Sequence, residues 1–381
     1  MFIENPICSV LILKVASRCN LNCTYCYMYN FEDKSYMQQP KFMNYDTVKA
    51  TIAKVKDHCL RNNLQKFYFV FHGGEPLLID RKFYFDFVAL ANEQLGGLVK
   101  IFYSLQTNGV LLSNEWCSLF KKLNIRVGIS LDGPQYIHDK HRIDHAGKGS
   151  YNDVIKGITT LKNNGLAAIS SLLCVINIES NPEEIYEFFK SHGIKKVDFL
   201  YPDLNYDCLP EGLKNEDDAT PYADWLIKVF DLWLRDERNA TSPSIRRFLN
   251  AAMLILGQHT MADDMGLEEN NVLVIETDGG IEAVDSLKIC GDRFTKANMN
   301  INTNTIDQAL DSPLALLYYK SHKDLCATCQ QCDVKDVCGG GHIVHRYSKK
   351  NGFDNPSIYC QDLKKFYNHI KNSLSNILAD V

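Results

Sequence analysis

The chain of 381 residues contains no run of about 18 apolar residues, which excludes a membrane-spanning helix. It has no secretory start either: residues 1–15 carry Glu4 and no basic cluster, and their apolar stretch is short and interrupted by Lys14. It has no excess of positive charge, since 41 Lys and Arg stand against 46 Asp and Glu, for a net charge of −5. Phosphate backbones need a positive field, so no nucleic-acid partner is expected. Internal repeats and low-complexity segments are absent too. What remains is an ordinary globular composition, 45% hydrophobic and 23% charged, in a chain long enough to bury a substantial core. A cytoplasmic protein with no membrane or nucleic-acid partner is the expectation.

Fourteen cysteines then need a reason. A reducing compartment disfavours disulfides, and clustered thiols there point to metal. Seven fall in two tight groups: Cys19, Cys23 and Cys26, then Cys326, Cys329, Cys332 and Cys338. Cys8, Cys59, Cys117, Cys174 and Cys208 lie singly among apolar residues and read as small buried hydrophobes.

From residue 10 to about 200, short runs rich in Val, Ile, Phe and Tyr alternate with amphipathic helical patterns. Strands are predicted at 10–16, 66–71, 100–105, 125–131, 167–176 and 196–201. Helices are predicted at 45–62, with Asn44 or Asp46 near the start, and at 182–192, stopped by Gly193. This alternation implies βαβ units and a parallel sheet. The strand ends carry His72-Gly73-Gly74-Glu75, Gln106-Thr107-Asn108-Gly109 and Asp132-Gly133-Pro134. Ligands of parallel α/β folds bind at the carboxyl ends of strands, so one shared site is expected. The pattern turns helical from 205 to 260, with an acidic stretch at 211–218. After about 265 come a strand-like stretch at 271–276, the turn Thr277-Asp278-Gly279-Gly280, the cysteine-rich segment and a final helix at 363–378. The expected division is 1–205, 206–265 and 266–381.

Cys19, Cys23 and Cys26 follow the first strand with C-x3-C-x2-C spacing. Three thiolates can ligate three irons of a [4Fe–4S] cubane and leave the fourth open. An open iron can chelate the amino and carboxylate groups of S-adenosylmethionine (SAM), whose reductive cleavage gives a 5′-deoxyadenosyl radical. Zinc takes four ligands from paired motifs, and no fourth ligand lies nearby.

With this loop the sequence resembles the radical SAM superfamily. Gly73-Gly74-Glu75-Pro76 looks like the family's GGEP element, which implies that its backbone and Glu75 hold the SAM amino group. Asn108 lies in the matching third-strand end. Ser130, Arg142 and Tyr25 match positions that contact SAM, its carboxylate and its adenine. The resemblance covers residues 8–205 and implies an α/β fold built as a partial (β/α)6 barrel.

Cys329, Cys332, Cys338 and Cys360, with Gly339-Gly340-Gly341, resemble the distal-cluster ligands of a SPASM domain. The resemblance implies at least one auxiliary [4Fe–4S] cluster, although tetrahedral zinc also suits these four thiols. A full domain of this kind holds two clusters. The second needs a cysteine before an aspartate and another four residues after Cys338, and Val284 and His342 stand there. No upstream cysteine pair exists between 209 and 289. Cys290, Cys326 and His342 are spare candidates for a rearranged cluster.

The run from Glu276 to Lys288, with His342, His345-Arg346-Tyr347 and the stretch 351–360, is similar to maturases of ribosomally made peptides of the Xye, Grr and Fxs types. That likeness implies a three-residue cyclophane: a β-hydrogen is abstracted from a precursor-peptide residue, and the carbon joins an aromatic ring. The expected partners are the precursor peptide and a reductant such as flavodoxin or ferredoxin. Asp285 is the candidate base, and His345 and Arg346 are candidates either to pair with an acidic peptide or, equally, for a structural role. Only 18 residues precede Cys19, so an N-terminal leader-binding module is not expected. Two alternatives stand beside this reading. One is anaerobic sulfatase maturation, oxidising Cys or Ser to formylglycine, which by resemblance uses both auxiliary clusters. The other is a zinc-bound scaffold that binds peptide without chemistry.

Overall fold

The computed structural model describes residues 6–193, 195–213, 219–237 and 242–379. Glu4 and the 214–218 part of the acidic stretch lie outside the described residues. The chain forms two compact units. The first runs up to Ser130 and adds His138–Ser170 and Asn271–Tyr319; the second takes Leu131–Ile137, Ser171–Asn270 and the stretch from Lys320 onward.

In the first unit, β1 (Val10–Ala16), β2 (Lys66–Gly73), β3 (Lys100–Thr107) and β4 (Ile125–Ser130) pair in parallel, in that order. They are joined by α1 (Tyr45–Arg61), α2 (Arg81–Leu95) and α3 (Asn114–Leu123). Each helix starts where a short polar side chain can satisfy an orphan amide. Asn44 accepts from the Thr47 amide, Asp80 from Lys82 and Ser113 from Trp116. Phe67, Phe69 and Phe71 alternate inward along β2 and are fully buried. The rings of Tyr84 and Phe87 on α2 meet Phe71 edge-on at 5.0 and 5.1 Å, contacts worth about 0.5–1.5 kcal/mol each beyond their burial. In β1, Leu11, Leu13, Val15 and Ala16 are all fully buried, as expected of a strand covered on both faces. Lys14 is buried with them.

In the second unit, β5 (Ser170–Val175) pairs in parallel with β6 (Lys196–Leu200), and β6 with the two-residue β7 (Ser244–Ile245). The strand predicted from 167 begins three residues later, because Ala167–Ile169 form a 3-10 turn after the left-handed Gly165. The helix Pro182–Ser191 starts on Asn181, which accepts from the Glu183 and Glu184 amides. Helices Pro221–Glu237 and Arg246–Ile255 supply the predicted helical stretch. They pack with the long helix Cys360–Ala379 through Phe230, Trp233, Phe248 and Phe366. Of the five cysteines read as buried hydrophobes, Cys208 is the exception. It is exposed, because it closes a small turn with Asn205 rather than lying on a strand or helix.

The first unit is completed from far along the chain. β8 (Val272–Ile275) pairs in parallel with β1 on the side away from β2, in register Val10 with Val272 through Leu13 with Ile275. β9 (Gly280–Glu282) and β10 (Met299–Asn300) extend this edge antiparallel. No described helix is long and apolar enough to cross a membrane.

Candidate active site

The loop after β1 is held by backbone from three places. The Gly74 amide donates to the Ala16 carbonyl at 2.8 Å, and the Glu75 amide to that of Arg18 at 2.9 Å. The Asn22 and Thr24 amides donate to the carbonyls of Ile143 and His141, and a His145 ring nitrogen lies 3.0 Å from the Cys19 carbonyl oxygen. The close approach requires glycine. A Cβ on Gly73, at φ +153°, would stand 2.3 Å from the Ala16 oxygen; one on Gly74 would stand 2.0 Å from the Tyr29 hydroxyl. Cys19, Cys23 and Cys26 form no disulfide and are of intermediate exposure. Burial, and then the neighbouring acidic groups, push Cys19 well up; burial and Cys23 push Cys26 up to about 11.

Glu75 is fully buried and ties the ends of β2 and β3 together. Its carboxylate accepts from the Leu77 amide at 2.9 Å, the Thr107 hydroxyl at 2.7 Å and the Asn108 amide at 2.8 Å. Burial pushes it up to about 7 against these hydrogen bonds. The Asn108 side chain continues the link to the loop, donating to Asn20 Oδ1 at 2.8 Å with its amide nitrogen 3.7 Å from Cys19 Sγ. The Ser130 hydroxyl accepts from Gln106 at 3.0 Å. The Arg142 guanidinium lies over the Tyr25 ring, 5.4 Å from its centroid. The structure thus brings Tyr25, Gly73, Gly74, Glu75, Asn108 and Arg142 around the cysteine loop, with His141 and His145 as further supports that motif reading missed. Thr107→Val removes the hydroxyl that donates to Glu75 and accepts from the Gly109 amide. It is expected to cost about 1–3 kcal/mol of stability in denaturant unfolding, because the buried Gly109 amide loses its acceptor and the buried Glu75 carboxylate keeps only the Leu77 and Asn108 amides.

Asp285 sits in a buried ion pair with Lys14 and accepts from the Tyr27 hydroxyl at 3.0 Å. His72 Nδ1 lies 3.1 Å from the Lys14 ammonium. Burial disfavours the charged carboxylate, but Lys14, then His72 and the hydrogen bonds, overcome it and hold Asp285 well below the usual carboxylate range. His72 is driven down to about 4, by burial first and by Lys14 second, and so stays neutral. Lys14, His72 and Tyr27 complete this site. The lone charge in Val-Leu-Ile-Leu-Lys-Val-Ala was the available signal, since a buried lysine requires a partner.

The stretch from Glu276 to Lys288 proves to be packed around ion pairs. Lys288 reaches Glu282 at 2.7 Å and Glu276 at 3.0 Å, Lys296 reaches Glu282 at 2.6 Å, and Glu276, Glu282 and Lys288 are buried.

In the second unit Cys329, Cys332, Cys338 and Cys360 influence one another electrostatically. Burial raises Cys338 strongly, and burial with the Cys326 thiol beside it pushes Cys329 up to about 12. Cys326 therefore adjoins this set, whereas His342 faces Asp203 and His345 instead. Arg346 is buried and donates to the carbonyls of Ser321, Asp324 and Phe353, and His345 is buried against Asp203. Neither is available to pair with an acidic peptide; both take the structural role that was the other reading of them.

A family model for the radical SAM superfamily matches residues 13–191. A cysteine-type anaerobic sulfatase-maturating enzyme of Clostridium novyi is 30% identical over 370 residues, covering 94% of each protein. The chain belongs to the radical SAM superfamily. This radical SAM enzyme is also 27% identical to a cysteine-type anaerobic sulfatase-maturating enzyme of Clostridium perfringens, over 99% of this chain and 100% of that one. A solved structure of native anSMEcpe with bound AdoMet and Kp18Cys peptide superposes with a TM-score of 0.80 at 25% identity, covering 98% of this chain and 99% of that one. The α/β fold with a C-terminal helical, cysteine-rich region is common to both. The enzyme's cofactors are a [4Fe–4S] cluster and SAM, with auxiliary cluster chemistry typical of the family.

These relations overturn the cyclophane expectation. Cysteine-type sulfatase-maturating enzymes match this chain over nearly its whole length, and in the stretch Glu276 to Lys288, part of what suggested otherwise, the charged residues are engaged in buried ion pairs. The scaffold alternative falls with them.

The residues present fit iron–sulfur groups. Both sets offer thiols alone, and burial raises those of Cys19, Cys26, Cys329, Cys338 and Cys360. Among the described residues the buried Tyr29 hydroxyl, which feels Cys19 and Cys26, has no hydrogen-bond partner.

Proposed function

We propose that this radical SAM enzyme oxidises a cysteine side chain of a protein or peptide substrate to formylglycine. The observation that carries the reading is the whole-length similarity to cysteine-type anaerobic sulfatase-maturating enzymes. Cys19, Cys23 and Cys26 would hold the SAM-cleaving cluster; Cys329, Cys332, Cys338 and Cys360 an auxiliary one. Tyr25, Gly73, Gly74, Glu75, Asn108, Ser130 and Arg142 would form the SAM site, with the Arg142 guanidinium meeting the carboxylate. When bound, these groups supply a radical that removes one hydrogen atom from the substrate β-carbon.

The chain's own residues account for the proton. Loss of the hydrogen atom leaves a carbon radical next to sulfur, whose S–H is far more acidic than an ordinary thiol. Asp285, kept ionised by Lys14, is the base that takes this proton. One further electron must leave the substrate radical, and an auxiliary cluster held by Cys329, Cys332, Cys338 and Cys360 would supply its one-electron acceptor. The resulting thioaldehyde reacts with water to give the aldehyde and hydrogen sulfide. A low-potential donor such as flavodoxin or ferredoxin would supply the first electron.

The test uses anaerobically reconstituted enzyme, SAM, dithionite and three peptides that differ only in having Cys, Ser or Ala at one position. The cysteine peptide is expected to exchange its sulfur for oxygen and become hydrazide-reactive, with one 5′-deoxyadenosine per product. Formation of 5′-deoxyadenosine with every peptide unchanged, or with sulfur retained after loss of two hydrogens, would refute the reading.

A further inference from the structure

Three consecutive left-handed glycines, Gly339, Gly340 and Gly341, with φ of +56°, +80° and +69°, turn the chain sharply after Cys338. The turn is packed too closely for side chains: a Cβ on Gly339 would stand 1.8 Å from the Gly266 oxygen. The chain emerges into His342 and the 3-10 turn Ile343–Arg346. In a 3-10 turn residues i and i+3 eclipse, so His342 and His345 share one side. Both face Asp203, three residues beyond β6, and one ligand atom from each of the three lies within 4.8 Å of the others.

The contacts inside this group are poor as hydrogen bonds. Asp203 Oδ1 stands 3.4 Å from His342 Nδ1 and 3.6 Å from His345 Nε2. His345 is 4% exposed and His342 9%, yet among the described residues the Nε2 atoms of both lack a hydrogen-bond partner. Buried, unpaired polar atoms are expensive and call for an explanation. The spacing suggests one. Two ligands on metal bonds of about 2.1 Å at a tetrahedral angle stand about 3.4 Å apart. Across the His342 ring, an Asp263 carboxylate oxygen lies 3.9 Å from Nε2, placed as an outer carboxylate that orients a ligating imidazole.

We propose that Asp203, His342 and His345 bind one first-row divalent cation, zinc(II) or iron(II), separate from the thiol-held clusters. His342 Nδ1, His345 Nε2 and an Asp203 oxygen are the ligands, and a fourth position is left for water. Two imidazoles and one carboxylate form a donor set that suits these ions and not magnesium or calcium. The site explains why His342 is not grouped with the thiols although it follows Cys338 by four residues.

The test is a cobalt(II) titration of the cluster-loaded full chain under anaerobic conditions, with X-ray absorption at the cobalt edge. One cobalt per chain is expected, with visible d–d absorption and a nitrogen and oxygen shell without sulfur. Asp203→Asn and His345→Gln are each expected to weaken cobalt binding by about 100-fold or more, and Asp263→Asn by about 10–100-fold. Far-UV circular dichroism and the cluster absorbance report whether each variant is folded. No stoichiometric cobalt on the wild type, sulfur in its shell, or unchanged affinity in folded D203N and H345Q would each overturn the proposal. The wild-type measurements decide the matter even where a variant does not fold.

Discussion

Alanine at Cys19, Cys23 and Cys26 together is expected to abolish 5′-deoxyadenosine formation. The loss should exceed about 10⁶-fold, because the cofactor carries the whole difficult step and the protein positions it. Iron should fall by about four atoms per chain, the content of one cubane, while the iron held by the second unit remains. The loop's backbone anchors do not depend on the thiols: the Gly74, Glu75, Asn22 and Thr24 amides still find their carbonyls. The triple variant should therefore fold, which makes its inactivity interpretable. Alanine at Cys329, Cys332, Cys338 and Cys360 should give the opposite result, with SAM cleavage retained and aldehyde formation lost. Equal SAM turnover in the wild type and the N-terminal triple variant would refute the assignment of these cysteines.

Lys14→Met is expected to cost about 3–5 kcal/mol in chemical denaturation, because it strands the Asp285 carboxylate in the interior without its counter-ion. The double variant Lys14→Met with Asp285→Asn should recover part of this loss, since no net charge then remains buried, and the cycle measures the coupling. The acid limb carries a defined sign. Asp285 is depressed in the folded chain below its unfolded value of about 3.9, so the pair's contribution is complete above that pH and is lost as pH falls below it. Lys14→Met should flatten this portion of the stability profile. Asp285→Asn alone should lower aldehyde formation by about 10²–10⁴-fold while leaving 5′-deoxyadenosine production in place. Parallel loss of both activities would show that Asp285 supports the fold or the SAM site rather than taking the substrate's proton.

Most of the first four strands could be read from the chain because each is a short apolar run closed by glycine or a polar turn. Asn44 marked the start of α1 for the same local reason. The cysteine loop and Glu75 were legible through spacing. The environment of Asp285 was not, because it depends on a pairing between residues 14 and 285 that no periodicity records. The same holds for β8: a four-residue run Val-Leu-Val-Ile announces a strand but not its neighbour. The likeness of residues 276–288 to cyclophane maturases misled because buried ion pairs also produce a distinctive pattern of Glu and Lys. The Asp203, His342 and His345 group was invisible for a simpler reason. Asp203 lies about 140 residues from the two histidines, and the glycine turn after Cys338 precedes their approach to it.

The strand contributed by Val272–Ile275 has a consequence for how this polypeptide can be divided. A fragment ending near residue 205 would keep every SAM-contacting motif, yet it would leave one flank of β1 without backbone partners and Lys14 without its counter-ion. Such a bare flank invites intermolecular pairing. The radical-generating half is therefore not a detachable cassette, and any split version has to supply the 271–319 stretch in trans, as a complementing piece.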